Sequence, residues 1–115
     1  MLEISVGDDV EFSPRRTRAA AAALGMQPVV SPGGDWPLAS EISFEDVSEH
    51  RQGLDWQRKN IEFAAELGAL AYCGASYGHT GVVQCRRPPR GERARVIEAL
   101  GELAEGAAFH EISAL

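Results

Sequence analysis

The stretch RQGLDWQRKNIEFAAELGALAYCGASYG, residues 51–78, decides the fold. Leu54, Ile61, Ala64, Ala65 and Leu67 recur near helical spacing, so the first part reads as an amphipathic helix. Gly68 is a stop signal at its end. Ala69 to Tyr72 is a short apolar run, long enough for a buried strand and too short for a helix. Small and polar residues then crowd together, from Cys73 and Gly74 through Ser76, Tyr77 and Gly78 to His79. A helix that stops and turns at once into a strand with a glycine-rich loop behind it is the returning half of a β-α-β crossover.

The flanking sequence repeats this unit. Leu2 to Val6 alternates apolar and polar residues and runs into Gly7-Asp8-Asp9, which reads as a strand and a turn. Ser13-Pro14 supplies an N-cap and a first-turn proline, Ala19 to Leu24 is built on the best helix former, and Gly25 is the stop. Gln27 to Ser31 is a second strand, with Pro28 tolerated near its start. Breakers dominate Pro32 to Pro37. Ser43 with Asp46 suggests a capping box for a long helix over Phe44–Leu67, inside which Gly53 marks a kink or a close contact. A third helix is expected over Glu92–Ala104, with Val96, Ile97, Leu100, Leu103 and Ala104 on one face, then a linker at Gly106-Ala107-Ala108 and a fourth strand over Phe109–Leu115.

The expected architecture is therefore α/β: a parallel sheet of about four strands alternating with three helices, half of a (β/α)8 barrel, in a single domain over residues 1–115. Sites in such sheets lie at the carboxyl ends of the strands. That rule selects Asp8-Asp9, Ser31 to Trp36, and Cys73 to His79.

Composition narrows the function. The chain has 115 residues, of which 44% are hydrophobic, enough for a core. A net charge of −6 argues against a nucleic-acid partner, which needs a basic face. The arginines at positions 86, 87, 90, 93 and 95 read as a solvated loop and helix start. No run approaches the roughly 20 apolar residues of a membrane span, and no secretory signal is visible. Cys73 and Cys85 lack metal-finger spacing. A soluble, cytoplasmic protein is the expectation. A response-regulator receiver is excluded: no aspartate follows the third strand, and the single lysine, Lys59, falls in mid-helix.

Residues 53–69 and 73–77 resemble the sugar isomerase and epimerase superfamily with the xylose-isomerase-like barrel, in particular the ketose 3-epimerases of the D-tagatose and D-psicose type. Gly53, Leu54, Arg58, Ile61, Ala64, Ala65, Glu66, Leu67, Gly68 and Ala69 match the helix G-L-x-x-x-(K/R)-x-x-I-x-x-A-A-E-L-G-A of that branch. Cys73-Gly74-Ala75-Ser76-Tyr77 matches its strand end (C/G)-G-P-L-Y, with Ala75 in place of proline. ERARVIEALGELAEGA, LEISV and QPVVS resemble neighbouring elements. The chain would supply strands two to five of the family barrel, which usually needs about 250 residues.

The resemblance implies a sugar isomerase or epimerase that moves a proton beside a ketose carbonyl through an enediolate, assisted by a divalent ion such as Mn, Co or Mg. It implies Glu111 as both catalytic carboxylate and metal ligand, and a sugar or sugar-phosphate pocket that includes Ser31, Trp36, Cys73, Gly74, Tyr77 and His79. The other metal ligands of the family lie on strands this chain does not supply, so the site is expected to be incomplete. The alternative is a non-catalytic half-barrel that binds a small molecule or self-associates. Two exposed sheet edges and an expected apolar inner face point to a homo-oligomer.

Overall fold

The computed structural model describes residues 1–33, 36–38, 40–78, 85 and 87–114. Among these residues seven elements alternate: β1 (Leu2–Val6), α1 (Pro14–Ala23), β2 (Pro28–Pro32), α2 (Val47–Leu67), β3 (Ala71–Tyr72), α3 (Glu92–Phe109) and β4 (Ser113–Ala114). The sheet order is β1-β2-β3-β4, with every pair parallel. Strand order that never reverses, with one helix between each neighbouring pair, is a segment of a (β/α) barrel and not a doubly wound sheet. Cys73 N–H donates to Val30 O and Leu70 N–H to Pro28 O, so the β2–β3 ladder extends one residue beyond β3 at each end.

One hydrophobic core lies between the sheet and its helices. Val6, Val30 and Tyr72 from the strands meet Leu54, Ile61, Ala64 and Leu67 of α2 and Ala99, Leu103 and Ala107 of α3. Strand alternation turns Ile4 and Val6 into this core and leaves Glu3 and Ser5 on the opposite, inner face. By register, Val29, Ser31, Ala71 and Ser113 share that face. It is mixed and largely polar, not the apolar surface the sequence suggested. Alternation alone explains this: β1 is apolar only at its helix-facing positions.

All three helices stop in the same way. Met26 N–H bonds to Ala21 O and Gly25 N–H to Ala22 O; Ala69 N–H bonds to Ala64 O and Gly68 N–H to Ala65 O; Ile112 N–H bonds to Ala107 O and Glu111 N–H to Ala108 O. This is the Schellman pattern, which needs a left-handed residue just past the helix. Gly25 (φ 64°), Gly68 (φ 71°) and Glu111 (φ 58°) occupy that position.

Several boundaries differ from expectation. Helix α2 starts at Val47, because Asp46 Oδ1 caps it by accepting from Ser48 N–H at 2.9 Å and Glu49 N–H at 3.0 Å. Glu49 stands at the third helical position, so the acidic partner expected at 46 sits at 49. Ser43 instead donates to Glu41 Oε2 at 3.2 Å. Gly53 marks a close contact: a Cβ there would lie 2.7 Å from Ser40 O. Helix α3 continues through the expected linker to Phe109, since Ala107 and Ala108 are strong helix formers and Ala107 is wholly buried. Its expected apolar face divides: Leu103 is buried, while Ile97 is 59% and Leu100 40% exposed. No helix among the described residues is long and apolar enough to cross a membrane.

Candidate functional site

At the carboxyl ends of β1, β2 and β3 the inner face and the loops converge. Ser5 and Ser31 are register partners. The chain turns back over them at Gly33, whose N–H donates to Val6 O at 3.1 Å. A Cβ on Gly33 would stand 2.8 Å from Ser5 Oγ and 3.8 Å from Ser31 Oγ, so a larger residue here would have to push the Ser5 hydroxyl aside. Gly74 (φ 136°) closes the other flank, where a Cβ would come within 3.2 Å of Pro32 Cδ and 3.6 Å of Ser31 Cβ. Ser31 is buried and its Oγ donates to Glu3 Oε1 at 3.0 Å. The site's described lining is thus Glu3, Ser5, Ser31, Gly33 and Gly74, with Cys73 half-buried beside them as a free thiol.

Helix α2 holds the loop beyond β3 in place. Gln57 is wholly buried. Its Nε2 donates to Ser76 O at 3.0 Å, and its Oε1 accepts from the Tyr72 hydroxyl. One side chain thereby ties the end of β3 to the loop that follows it. Burial pushes the Tyr72 phenol well above its ordinary range, so it stays a neutral donor. Trp56 of the same helix donates Nε1–H to Asp8 Oδ1 at 3.0 Å, which fixes the loop after β1.

The structure brings together Ser31, Cys73 and Gly74 among the expected site residues. Tyr77 follows on the same loop and is 56% exposed. His79 lies outside the described residues, as does Asp35. Trp36 is corrected: it is only 8% exposed, stacks on Trp56 at 5.1 Å and 4°, and donates Nε1–H to Ser40 O at 3.0 Å. One of its faces is already covered by an indole, so it is a wall residue and not a free platform.

Glu111 is the larger correction. It sits in the turn that ends α3, two residues before β4. In a parallel sheet every strand's amino end is at the same side, so Glu111 faces the floor of the sheet, opposite Ser31 and Gly74. It is exposed there, and no carboxylate role at the mouth is open to it. Glu3 and Ser5 share the inner face with Ser31 and were not among the residues expected from the sequence. Their signal was present in the alternation of Leu2 to Val6, once the inner face is taken as the ligand side.

Among solved structures, the chain is similar to an L-ribulose 3-epimerase at 26% identity, with a TM-score of 0.85 over 97% of this chain and 37% of that one. Its fold is that of part of a ketose 3-epimerase barrel. A D-allulose 3-epimerase from Methylomonas sp., solved in complex with D-allulose, has this fold at 23% identity and a TM-score of 0.84, over 97% of this chain and 38% of that one. A D-psicose 3-epimerase from Clostridium cellulolyticum H10, solved with D-tagatose, shares the ketose 3-epimerase fold at 17% identity and a TM-score of 0.76, over 90% and 36%. The chain thus spans somewhat over a third of the length of these enzymes. No protein-family profile and no curated protein matches it in sequence.

The resemblance to ketose 3-epimerases implies a divalent ion, which needs several donors converging on one point. Among the described residues no group of three or more His, Cys, Asp or Glu side chains could hold a metal. On the described inner face Glu3 stands with serines, without a second carboxylate or an imidazole. Hard cations such as Mg and Mn need several oxygen ligands around one point. The described residues do not fit the ion.

Proposed function

We propose that this chain is the sugar-holding arc of a ketose 3-epimerase-type site, and that on its own it binds a ketose without epimerising it. Ser31, Cys73 and Gly74 form the wall of that arc. Tyr77, the exposed aromatic on the rim, is placed to stack on the sugar ring. The observation that supports this reading is the arrangement at the carboxyl ends of the barrel segment: Gly33 brings backbone against the Ser5 and Ser31 hydroxyls, and Gly74 packs beside them against Pro32. A ketose hydroxyl can approach such a surface closely, and an apolar ligand finds little to pack on. Proton transfer beside a carbonyl needs a positioned base and stabilisation of the oxyanion, and the described site has no metal cluster for the second.

The test is incubation with Mn2+ or Co2+ and D-allulose, D-fructose, D-tagatose or L-ribulose, with product analysis and thermal shift run in parallel. The expected outcome is a rise in unfolding temperature with at least one ketose and no epimer. Epimer formation by the purified chain overturns the non-catalytic half of the reading. The absence of any ketose-dependent shift overturns the binding half.

A further inference from the structure

We infer that Glu3 is a hydroxyl-recognition residue of the inner face, whose carboxylate accepts hydrogen bonds from a polyol. The inference rests on the sugar-binding reading above and assigns it a residue outside the expected pocket. Glu3 is paired in register with Val29, yet its Oε1 reaches Ser31, two positions further toward the mouth. The side chain therefore leans up the inner face toward the site.

Ser31 occupies one acceptor position of a carboxylate that has about four. Among the described residues no cation lies within salt-bridge distance of Glu3; the ion pairs found join Arg58 to Asp55 and to Glu102. Glu3 is exposed in the open half-barrel, where water supplies the missing donors. Anything that covers this face removes that water. A charged carboxylate under cover needs new donors, because burying it unpaired is strongly unfavourable. An apolar surface offers none, and a phosphate ester adds a like charge. A neutral polyol offers adjacent hydroxyls that can bond both carboxylate oxygens, as charge-assisted hydrogen bonds.

Ser31 serves as a positioning residue in this arrangement. Its hydroxyl fixes one carboxylate oxygen and leaves the other directed at the ligand. Gly33 and Gly74 keep the approach open, since a Cβ on Gly33 would crowd Ser5 and one on Gly74 would crowd Pro32.

The experiment compares the full chain with its Glu3→Gln and Ser31→Ala variants by calorimetric titration against D-allulose and its 6-phosphate. The expected result is about tenfold weaker D-allulose binding by Glu3→Gln, with an unchanged unfolding temperature because Glu3 is exposed. Ser31→Ala weakens binding by a smaller factor, because the carboxylate remains. The full chain prefers D-allulose to its 6-phosphate, and that preference narrows in Glu3→Gln, a change that loss of packing alone would not produce. Equal D-allulose affinity in the full chain and Glu3→Gln overturns the assignment while sparing the sugar-binding reading. Failure of the full chain to bind any ketose overturns both.

Discussion

The junction from α2 to β3 and the junction from α3 to β4 are built on the same backbone pattern with different residues. Each helix ends in paired Schellman bonds and delivers its chain into a parallel strand. The first uses Gly68 and leads within five residues to Cys73 at the mouth. The second uses Glu111, whose left-handed backbone stops α3 on the far side of the sheet. The comparison separates two properties that coincide in sequence: a residue next to a strand, and a residue at the end of the strand where chemistry occurs. Here the carboxylate just before β4 serves as a helix stop, whatever its chemical capacity.

The largest effect is expected where the first junction is tied to the mouth. Gln57→Leu leaves the Tyr72 hydroxyl and Ser76 carbonyl without their shared partner. It should destabilise the fold by about 2–4 kcal/mol, measured by urea denaturation. A change under about 1 kcal/mol would show that water or a neighbour replaces the bridge, and that α2 does not order the loop.

The two stops themselves should respond in opposite directions. Gly68→Ala forces a Cβ into the left-handed region and against the Arg18 guanidinium, 2.9 Å from the position that Cβ would take. The expected loss is about 1–2 kcal/mol. Glu111→Gly relieves the same strain, partly offset by the entropy of glycine in the unfolded chain, for a gain of about 0.5–1 kcal/mol. Because Glu111 stands at the floor, the same variant should leave ketose affinity unchanged. Loss of ketose binding in Glu111→Gly, with the fold retained, would return this residue to the site.

Much of this architecture was legible in the sequence. Ser13-Pro14, Gly25 and Gly68 are boundaries with a backbone reason, and the apolar periodicity of α2 needs no tertiary context. The misreadings share a cause: each depended on what stands opposite in space. A left-handed glutamate leaves no mark in a sequence, so the stop at Glu111 passed for part of a strand over Phe109–Leu115. Gly106 resembles a breaker until Ala107 is seen to be buried under the sheet. Trp36 passed for a ligand platform because its stacking partner lies twenty positions away. Glu3 and Ser5 stood in the sequence only as the polar positions of an alternating strand, and it is the register setting Ser5 beside Ser31 that brings them to the candidate site.

The central claim is that a ketose sits on the inner face at the carboxyl ends of β1, β2 and β3. Amide chemical-shift mapping of the isotopically labelled chain during titration with D-allulose tests this most directly. The account predicts perturbations concentrated at Ser5, Ser31, Gly33, Cys73 and Gly74, with His110 and Glu111 unmoved. Perturbations centred on the floor of the sheet, or on the exposed face of α3 around Ile97 and Leu100, would contradict it.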